Sequence, residues 1–319
     1  MAGVVTKRID KARQEAEAAK AARSGRLGAG VLGNRCLRQV WYGFRKVYQV
    51  KHQGRLLRLF DRGHEEEDRF NRYLRGAGYE VRDYSQRLMY HGGSDSYVTI
   101  PWDENEAYDQ TWAECDDVSE DPVHIRRATD MGQGPEQWTF SDHEGHFAGY
   151  TDGKVRGPDL PDGWGGLEYK THSDKSFKDL IAKGVLTSKP VHYVQMQMYM
   201  HYLGLTWCLY LAVNKNDDSL YEELVYYKPE LAAQYRDVAG RIIWSKTAPN
   251  RLTNDPSWFE CKFCDYREIC HYDEAPLRNC RSCAYAAPAE AGTWYCDLHH
   301  ATIPKDFIPT GCDRWQGVK

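Results

Sequence analysis

The sequence predicts an α/β domain in which a central mixed sheet is flanked by helices. Residues 157–166 form a Gly- and Pro-rich connection between two short stretches, 149–152 and 167–171, which is typical of a hairpin. Residues 191–202 have the length and composition of a helix, and Pro190 precedes them. The apolar run 208–213 indicates a buried strand, and 229–246 indicates a further helix. Strands that alternate with helices predict a layered α/β fold.

The N-terminal residues 1–27 are basic. Residues 1–58 contain fourteen Lys or Arg against three Asp or Glu, a net charge of +11, although the whole chain of 319 residues carries −4. We predict a basic N-terminal helix or arm over 1–27, which could follow a phosphate backbone or could be a solvated helix. With no export signal and no run of about eighteen apolar residues, we expect a cytoplasmic protein that makes no membrane contact.

A second helix is predicted from residue 59 onward. Its apolar stripe would consist of Leu59, Phe60, Phe70, Tyr73 and Leu74. The acidic run on the same helix is typical of a solvated face. That interpretation suits Glu65 and Glu66 better than Glu67.

Residues 78–100 indicate strands and are followed by a strongly acidic insertion at 102–121. The insertion has no clear periodicity, so we predict a loop there, with no evident role for Cys115. Residues 142–145 indicate the turn of a further hairpin.

Two acidic residues and a lysine form the most informative pattern of the chain. Asp152 precedes the turn-rich connection and Glu168 follows it, so we expect both on strands of one hairpin with converging carboxylates. Carboxylates suit Mg²⁺ or Mn²⁺, which can stabilise charge on a phosphoryl group and activate water. Lys170 should share the strand face of Glu168. Tyr169 should point to the core, although its backbone carbonyl could reach the metal.

An acid-x-Lys triplet alone is common by chance, and the favoured interpretation would then be an ion pair. The helix at 191–202 changes that interpretation, because it carries Gln195 and Tyr199 four residues apart on one face. The ordered set of Gly-x-x-Asp, a turn, Glu-x-Lys and this helix favours a metal-dependent site.

Ten cysteines in a chain expected in a reducing compartment indicate metal sites more than disulfides. Cys261, Cys264 and Cys270 follow an x2, x5 spacing and need one further thiolate. Four thiolates suit zinc or a cubane iron–sulfur cluster, and the spacing leaves both open. Cys36, taken alone, is best interpreted as a small buried hydrophobic residue. Cys208, within an apolar run, should be structural.

Residues 276–319 predict a small appendage with its own metal. This segment has little apolar content and contains four further cysteines, Cys280, Cys283, Cys296 and Cys312. Cys-x2-Cys followed by two more ligands favours zinc, which such a short segment would need in order to fold. The alternative is a disordered tail with incidental thiols.

Over residues 30–272 the chain resembles the PD-(D/E)xK nuclease superfamily. The similarity is to the branch that contains the RecB and AddB nuclease domains, the iron–sulfur nucleases of CRISPR adaptation and bacteriophage recombination exonucleases. It implies a restriction-endonuclease-like core in a nuclease domain spanning 28–275. The residues assigned to the active site by this resemblance are Asp152 and Glu168 as Mg²⁺ or Mn²⁺ ligands, Lys170 as the catalytic lysine, and Gln195 with Tyr199 as further contributors.

The resemblance also assigns roles that the residues alone leave open. The family places a metal-reaching residue four positions after a glycine, which here is Glu67 after Gly63, with His64 as a weaker candidate. The family also places an early cysteine in a Cys-x-Arg setting, which matches Cys36. The implied cofactor is a 4Fe-4S cluster held by Cys36, Cys261, Cys264 and Cys270.

The activity implied by this resemblance is a metal-dependent DNA exonuclease, with 5′ to 3′ the favoured polarity, that processes DNA ends for recombination or repair. Its partners would be DNA and a recombination or annealing protein, inside a bacterial host if the gene is carried by a phage. One alternative is a structure-specific or CRISPR-adaptation-type endonuclease. The other is a non-catalytic subunit that binds DNA ends. The complete set Glu67, Asp152, Glu168 and Lys170 argues against that subunit, since an inactive relative is expected to have lost one of them.

Overall fold

The computed structural model describes residues 3–19, 25–102 and 115–318. Its helices in chain order are α1 (Val4–Ala19), α2 (Leu37–Phe44), α3 (Gly54–Gly76), α4 (Pro122–Asp130), α5 (Asp174–Ser188), α6 (Pro190–Leu203), α7 (Pro229–Trp244), α8 (Phe259–Lys262) and α9 (Arg267–His271). Its strands are β1 (Leu27–Gly28), β2 (Glu80–Arg82), β3 (Gln86–His91), β4 (Ser96–Pro101), β5 (Asp116–Asp117), β6 (Thr139–Asp142), β7 (Phe147–Tyr150), β8 (Gly153–Arg156), β9 (Gly165–His172), β10 (Trp207–Asn214), β11 (Leu220–Tyr226), β12 (Ala286–Pro288), β13 (Trp294–Cys296) and β14 (Ala301–Ile303).

The largest sheet has the strand order β11, β10, β9, β8, β2. Strands β9 and β10 are parallel, and the other pairs are antiparallel. The parallel pair is joined through α5 and α6, because parallel neighbours need a long crossover connection. The predicted α/β class with a central mixed sheet is therefore confirmed.

Helices cover both faces of this sheet. On β10, Leu209 and Leu211 point to one side and pack in a cluster with Phe70 of α3. The alternate residues Cys208 and Tyr210 point to the other side, where α5 and α6 lie. A strand buried on both faces has to be apolar throughout, which explains the continuous run seen in the sequence.

The described residues also form three smaller sheets. They have the strand orders β1–β7–β6, β4–β3–β5 and β12–β13–β14. Strand β1 pairs in parallel with β7, and Leu27 lies opposite Phe147. Residues of α2, α6 and α7 share one hydrophobic core with residues of β12 to β14. The C-terminal segment is thus packed onto the rest of the chain, and the boundary at 275/276 stays a prediction.

Several local expectations need correction. In the predicted stripe of α3, Phe60 is 41% exposed and Tyr73 is 55% exposed, whereas Leu57, one turn earlier than Phe60, is buried. Glu66 is also buried, and its carboxylate lies 2.8 Å from the Arg69 guanidinium, so it does not belong to a solvated face.

The acidic insertion is described only in part, because residues 103–114 lie outside the described ranges. After them, β5 pairs with β3 in place of the predicted loop. Helix α4 was not predicted. It begins where the side chain of Asp121 accepts a hydrogen bond from the backbone of Val123 (2.8 Å).

The predicted N-terminal helix is present as α1, and residues 20–24 of the predicted arm lie outside the described ranges. This helix packs on α3, where Arg13 donates to Asp61 (2.7 Å). Within the described ranges, no helix is long and apolar enough to cross a membrane.

Candidate active site and cysteine clusters

Asp152 and Glu168 are held together by the hairpin of β8 and β9. Asp152 lies in the bend between β7 and β8, one residue before the strand on which it was predicted. Its Oδ2 accepts a hydrogen bond from the backbone of Tyr169 (2.7 Å), which fixes it beside the strand that carries Glu168. Glu168 is completely buried in β9. The Asp152 carboxylate acts electrostatically on that of Glu168, which is consistent with the predicted convergence.

Lys170 forms an ion pair with Oε1 of Glu168, so the two side chains share a strand face as predicted. Oε2 of Glu168 has no hydrogen-bond partner among the described residues. Buried carboxylate oxygens without a partner are costly, and they mark a place where a cation fits.

Tyr169 points to the opposite side of β9. Its ring stacks on Phe70 at 5.0 Å between centroids, and its hydroxyl donates to Asn71 (2.6 Å). The predicted core position is therefore confirmed. The backbone carbonyl of Tyr169 accepts a hydrogen bond from Lys170 (3.0 Å), and its contact with a metal stays a prediction.

Glu67 of α3 belongs to the same group. Burial, first, and the carboxylates of Asp152 and Glu168 together raise its pKa to about 8, although Lys170 acts in the opposite direction. Nδ1 of His64 lies 3.4 Å from Oε1 of Glu67. Glu67, four positions after Gly63, thus interacts with the carboxylates of the hairpin. Its neighbour Glu66 instead forms an ion pair with Arg69.

The electrostatics of the group show a shortage of positive charge. Burial and Asp152 raise the pKa of Glu168 to about 7, and burial raises that of Asp152 as well. Burial alone would lower the pKa of Lys170, but the carboxylates of Glu168, Asp152 and Glu67 overcome this effect and raise it. Three carboxylates share one ammonium, so a divalent cation would complete the charge balance.

Gln195 and Tyr199 lie on the α6 face that borders this group. The Gln195 amide donates to the Tyr199 hydroxyl (2.5 Å), and the buried Tyr199 interacts electrostatically with Glu168 and Asp152. A Cβ atom at Gly149 would lie 2.9 Å from the Tyr199 ring and 2.4 Å from that of Phe140. The glycine of the Gly-x-x-Asp pattern is therefore needed for close packing of β7 on α6.

Sequence reasoning missed a buried hydrogen-bonded chain behind Glu168. Tyr210 lies opposite Glu168 on β10, and its hydroxyl is 2.9 Å from Nε2 of His172 and 3.0 Å from Nδ1 of His192. Burial lowers the pKa of His172 to about 4 and that of His192 to about 3, so both rings are neutral at pH 7. His192 precedes Gln195 by three residues, and this helical spacing could have revealed it.

A surface cleft opens beside the same group. It is lined by Arg26, by the glycine-rich residues 27–30, by residues 148–150 of β7 and by Tyr199. Tyr199 also interacts with the hairpin carboxylates, so the cleft adjoins them. Tyr150, at the rim, is 48% exposed. An exposed aromatic ring beside an arginine suits a nucleotide, since the ring can stack on a base and the arginine can bind a phosphate.

The first cysteine set lines a single cavity, in which Cys36, Cys261, Cys264 and Cys270 are accompanied by basic residues. Cys36 precedes α2, and the other three lie on α8, α9 and the turn between them. The lining also contains Arg38, Arg251, Arg267 and His271, together with the carboxylate of Glu260. Four thiolates with cationic neighbours are an environment that fits an anionic metal cluster. Cys208 is fully buried in β10, as expected of a structural residue.

The second cysteine set is also close together. Cys280 and Cys283 are buried, and the Cys283 backbone donates to the Cys280 carbonyl (3.1 Å) to form a tight turn. Burial raises the pKa of Cys280, and the thiols of Cys283, Cys312 and Cys296 raise it further, so all four are neighbours. Across residues 3–19, 25–102 and 115–318, no group of three or more His, Cys, Asp or Glu side chains is positioned to hold a metal ion as it stands.

No known protein family matches the chain, and no curated protein does. Among solved structures, SSO0001 is similar over 86% of this chain and 98% of its own, with 15% identity and a TM-score of 0.43. The alkaline exonuclease LHK-Exo from Laribacter hongkongensis is similar over 73% of this chain and 90% of its own, with 17% identity and a TM-score of 0.36. Its complex with dAMP is similar over 74% and 90%, with 14% identity and a TM-score of 0.37. TM-scores this low carry no inference about this chain, whose proposed activity rests on its own side chains.

Proposed function

We propose that this protein is a metal-dependent deoxyribonuclease of the PD-(D/E)xK type, of the branch that contains RecB and AddB. The observation that carries the proposal is the grouping of Glu67, Asp152 and Glu168 around Lys170. These residues come from α3, from the bend before β8 and from β9. The three carboxylates have only one ammonium to balance their charge, which is what a site for a divalent cation requires.

The residues have separable roles in phosphodiester hydrolysis. A bound Mg²⁺ or Mn²⁺ would supply charge stabilisation at the phosphate and an activated water. Glu67, Asp152 and Glu168 would hold the ion, aided by the Tyr169 carbonyl. Lys170, which forms an ion pair with Glu168, would orient the attacking water or a phosphate oxygen. Its raised pKa keeps it an ammonium at neutral pH, so it acts as a hydrogen-bond donor and does not remove a proton.

Gln195 and Tyr199 would position the substrate. The Tyr199 hydroxyl is fixed by Gln195, and the ring of Tyr199 forms part of the cleft that leads to the carboxylates. The pKa of Tyr199 is raised far above its usual range, first by burial, so its hydroxyl remains protonated. Tyr199 is therefore a wall of the cleft and not a nucleophile.

We propose exonucleolytic action on DNA ends, with 5′ to 3′ polarity, in recombination or repair alongside an annealing or recombination protein. The cleft beside Tyr199 supports action on a single strand, because its wall of small residues lets a backbone approach closely. The polarity and the partner protein rest on the resemblance alone.

Two structural metals complete the proposal. Cys36, Cys261, Cys264 and Cys270 would hold a 4Fe-4S cluster that ties α2 to α8 and α9. Cys280, Cys283, Cys296 and Cys312 would hold zinc. The cysteine side chains of each set would shift from their present positions when they bind the metal, because metal binding is coupled to folding in many small sites.

The decisive experiment compares DNA substrates. Linear duplex labelled at either end and covalently closed circles are incubated with the full chain, with Mg²⁺ or with a chelator. We expect progressive loss of the 5′ label from linear DNA, intact circles and no reaction with chelator. Glu168→Gln should be inactive, and the matched control Glu222→Gln, at an exposed position of β11, should be fully active.

The other outcomes identify the alternatives. Rapid nicking of circles would make the protein an endonuclease of the structure-specific or CRISPR-adaptation type. Release of the 3′ label first would reverse the polarity. Tight binding to ends without cleavage in Mg²⁺ or Mn²⁺ would mean a non-catalytic end-binding subunit and would refute the proposed activity.

A further inference from the structure

Three tryptophan rings lie against two cationic side chains on one face of the β2–β8 pair. Nζ of Lys154 lies 3.6 Å from the ring centroid of Trp138. The Arg82 guanidinium carbon lies near two rings, 4.6 Å from the centroid of Trp102 and 4.4 Å from that of Trp164. An aromatic ring attracts a cation to its face. These five residues form what we call the tryptophan–cation surface, in which the rings order the cations.

The tryptophan–cation surface is turned away from the core of the sheet. The alternate residues Val81 of β2 and Val155 of β8 are buried and pack in the cluster that contains Phe70. Arg82 and Lys154 therefore lie on the opposite face, since side chains alternate along a strand. Both cations and the three rings are half-buried. The surface is thus reachable from solvent although packing orders its side chains.

Arg82 and Lys154 lie directly opposite each other in the antiparallel ladder of β2 and β8. Like charges at such positions oppose strand pairing. The other pair on this face, Glu80 and Arg156, has opposite charges and forms an ion pair at 2.8 Å. The unfavourable pair is the one nearer to the proposed metal site, because Asp152 precedes Lys154 by two residues. Positive charge is therefore concentrated at the end of the ladder that adjoins that site.

Hydrogen bonds fix two of the rings to the backbone. Nε1 of Trp138 donates to the carbonyl of Arg82 (3.0 Å), and Nε1 of Trp102 donates to the carbonyl of Tyr84 (2.9 Å). The carbonyl of Trp138 accepts a hydrogen bond from the backbone of Thr151 (3.1 Å), the residue before the proposed metal ligand. Side chains that are ordered in advance lose less conformational entropy when a ligand binds. The cations are therefore prepared for a ligand beside the metal site.

Other charged groups border the tryptophan–cation surface. The Arg87 guanidinium carbon lies 5.9 Å from the ring centroid of Trp102, and Nε of Arg87 donates to Asp117 (3.0 Å). Arg156 follows on β8 and pairs with Glu80. Among the charged side chains named on and beside this surface, four cations thus accompany two carboxylates. That balance favours an anionic ligand.

We propose that the tryptophan–cation surface binds the phosphate backbone of a DNA strand next to the proposed metal site. A guanidinium that stacks on a ring binds phosphate through the N–H groups at its edge, so the two contacts are compatible. A phosphate close to both Arg82 and Lys154 would also offset the repulsion between them. The inference deepens the proposed function and rests on DNA as the substrate, but it does not require cleavage.

The test measures DNA binding by the full chain with Ca²⁺ in place of Mg²⁺, and a gel checks that the DNA stays intact. Fluorescence anisotropy of a labelled single strand and of a labelled duplex gives the Kd at several salt concentrations. Arg82→Gln and Lys154→Gln each remove one charge, and Lys183→Gln on the exposed side of α5 is the control. We expect each of the first two variants to bind roughly 3- to 10-fold more weakly. The slope of log Kd against log salt should fall by about 0.7 to 0.9 in each, and the control should match the wild type.

Variants that keep the charge distinguish phosphate binding from a structural effect. Arg82→Lys and Lys154→Arg should keep the wild-type salt slope, because the number of neutralised phosphates is unchanged. A slope that falls equally in these variants would overturn the inference.

The remaining outcomes distinguish this inference from the proposed activity. Normal DNA binding by the wild type, with unchanged Kd and slope in the double variant Arg82→Gln/Lys154→Gln, would refute the surface and leave the nuclease proposal intact. DNA binding without cleavage in Mg²⁺ would refute the nuclease proposal, and the same variants would still decide for or against the surface. Failure of the wild type to bind DNA would refute both.

Should the double variant fail to fold, chemical acetylation of lysines in the wild type, read by mass spectrometry, decides. Protection of Lys154 by DNA, with Lys183 labelled as before, supports the inference. Equal labelling of Lys154 with and without DNA overturns it.

Discussion

The ammonium of Lys170 lies against the carboxylate of Glu168, two residues before it on β9, although Glu168 is proposed to bind a cation of its own. The lysine forms its ion pair with Oε1, and no described residue forms a hydrogen bond with Oε2. One carboxylate can therefore serve the lysine and the metal at the same time. In the proposed site, Glu168 would thereby fix the distance between Lys170 and the ion.

Replacing Lys170 should slow cleavage without abolishing Mg²⁺ binding. Lys170→Met should lower the cleavage rate by roughly 10² or more, because a positioned donor is lost, while calorimetry should still show Mg²⁺ binding. Removing a positive charge next to the ion should leave that affinity equal or higher. The control is Lys178→Met on the exposed side of α5, which should retain full activity. Loss of Mg²⁺ binding in Lys170→Met would count against the role assigned to the lysine.

Metal binding should depend on pH through the raised carboxyl pKa values. With pKa values of about 8 for Glu67 and about 7 for Glu168, both groups are largely protonated below pH 7, and the ion must displace those protons. We expect the Mg²⁺ affinity to rise between roughly pH 6 and pH 8. Calorimetry in two buffers of different ionisation enthalpy should show proton release. A pH-independent affinity would disprove this coupling.

The free energy of unfolding of the metal-free protein should fall over the pH interval in which the Mg²⁺ affinity rises. Folding raises the Glu67 pKa from 4.5 to about 8, so the folded state binds this proton more tightly than the unfolded state does. The free energy of unfolding should therefore decrease as the pH rises through that interval. Urea titrations at several pH values can measure this, and Glu67→Gln should flatten the dependence. The matched control Glu65→Gln should leave it unchanged.

The first cysteine set should be detectable by eye. A 4Fe-4S cluster absorbs broadly near about 400 nm, so the protein should be brown and contain roughly four irons per chain. Cys36→Ser should abolish the colour and lower the melting temperature, because the link between α2 and α9 is lost. Cys296→Ser is the control, and it should lose zinc while the colour persists. Zinc without iron in the wild type would show that Cys36 belongs to a zinc site.

The cleft beside Tyr199 can be blocked without disturbing the fold. Gly28 has an ordinary extended backbone (φ −87°), and a Cβ atom there would meet nothing within 4 Å. Gly28→Leu should therefore fold normally but fill the cleft and weaken DNA binding roughly tenfold or more. Gly76→Leu, at the open end of α3, is the matched control. Unchanged DNA affinity in Gly28→Leu would exclude this cleft as the path of the substrate.

Sequence patterns predicted best the features that depend on neighbouring residues. The turn-rich connection predicted the β8–β9 hairpin. The alternation of side chains along a strand predicted that Glu168 and Lys170 share one face of β9 and that Tyr169 lies on the other. Exposure within α3 was harder, because it depends on which helix face other segments cover. Glu66 is buried beside Arg69 and Phe60 is exposed, and no local signal distinguishes them.

Long-range features gave no local signal at all. Arg281 is 4% exposed, and its guanidinium lies over the rings of Phe44 and Trp294. In the sequence it looks like any surface arginine, since those aromatic neighbours are brought together only by the fold. His192 is an intermediate case. Its helical spacing from Gln195 was visible, but its bond to Tyr210 depends on the register of β10 against β9.

The cavity that joins Cys36 to Cys270 has a consequence for how the chain is made. Because more than two hundred residues separate these cysteines, a ribosome adding about 5 to 20 residues per second exposes the first one roughly 10 to 50 s before the last. During that interval helix α2, with its apolar residues Trp41 and Phe44, has been synthesised but lacks the later residues that it packs against in the folded protein. Fast overproduction in cells short of iron should therefore yield aggregated nascent chains, and slow induction with iron should yield soluble protein.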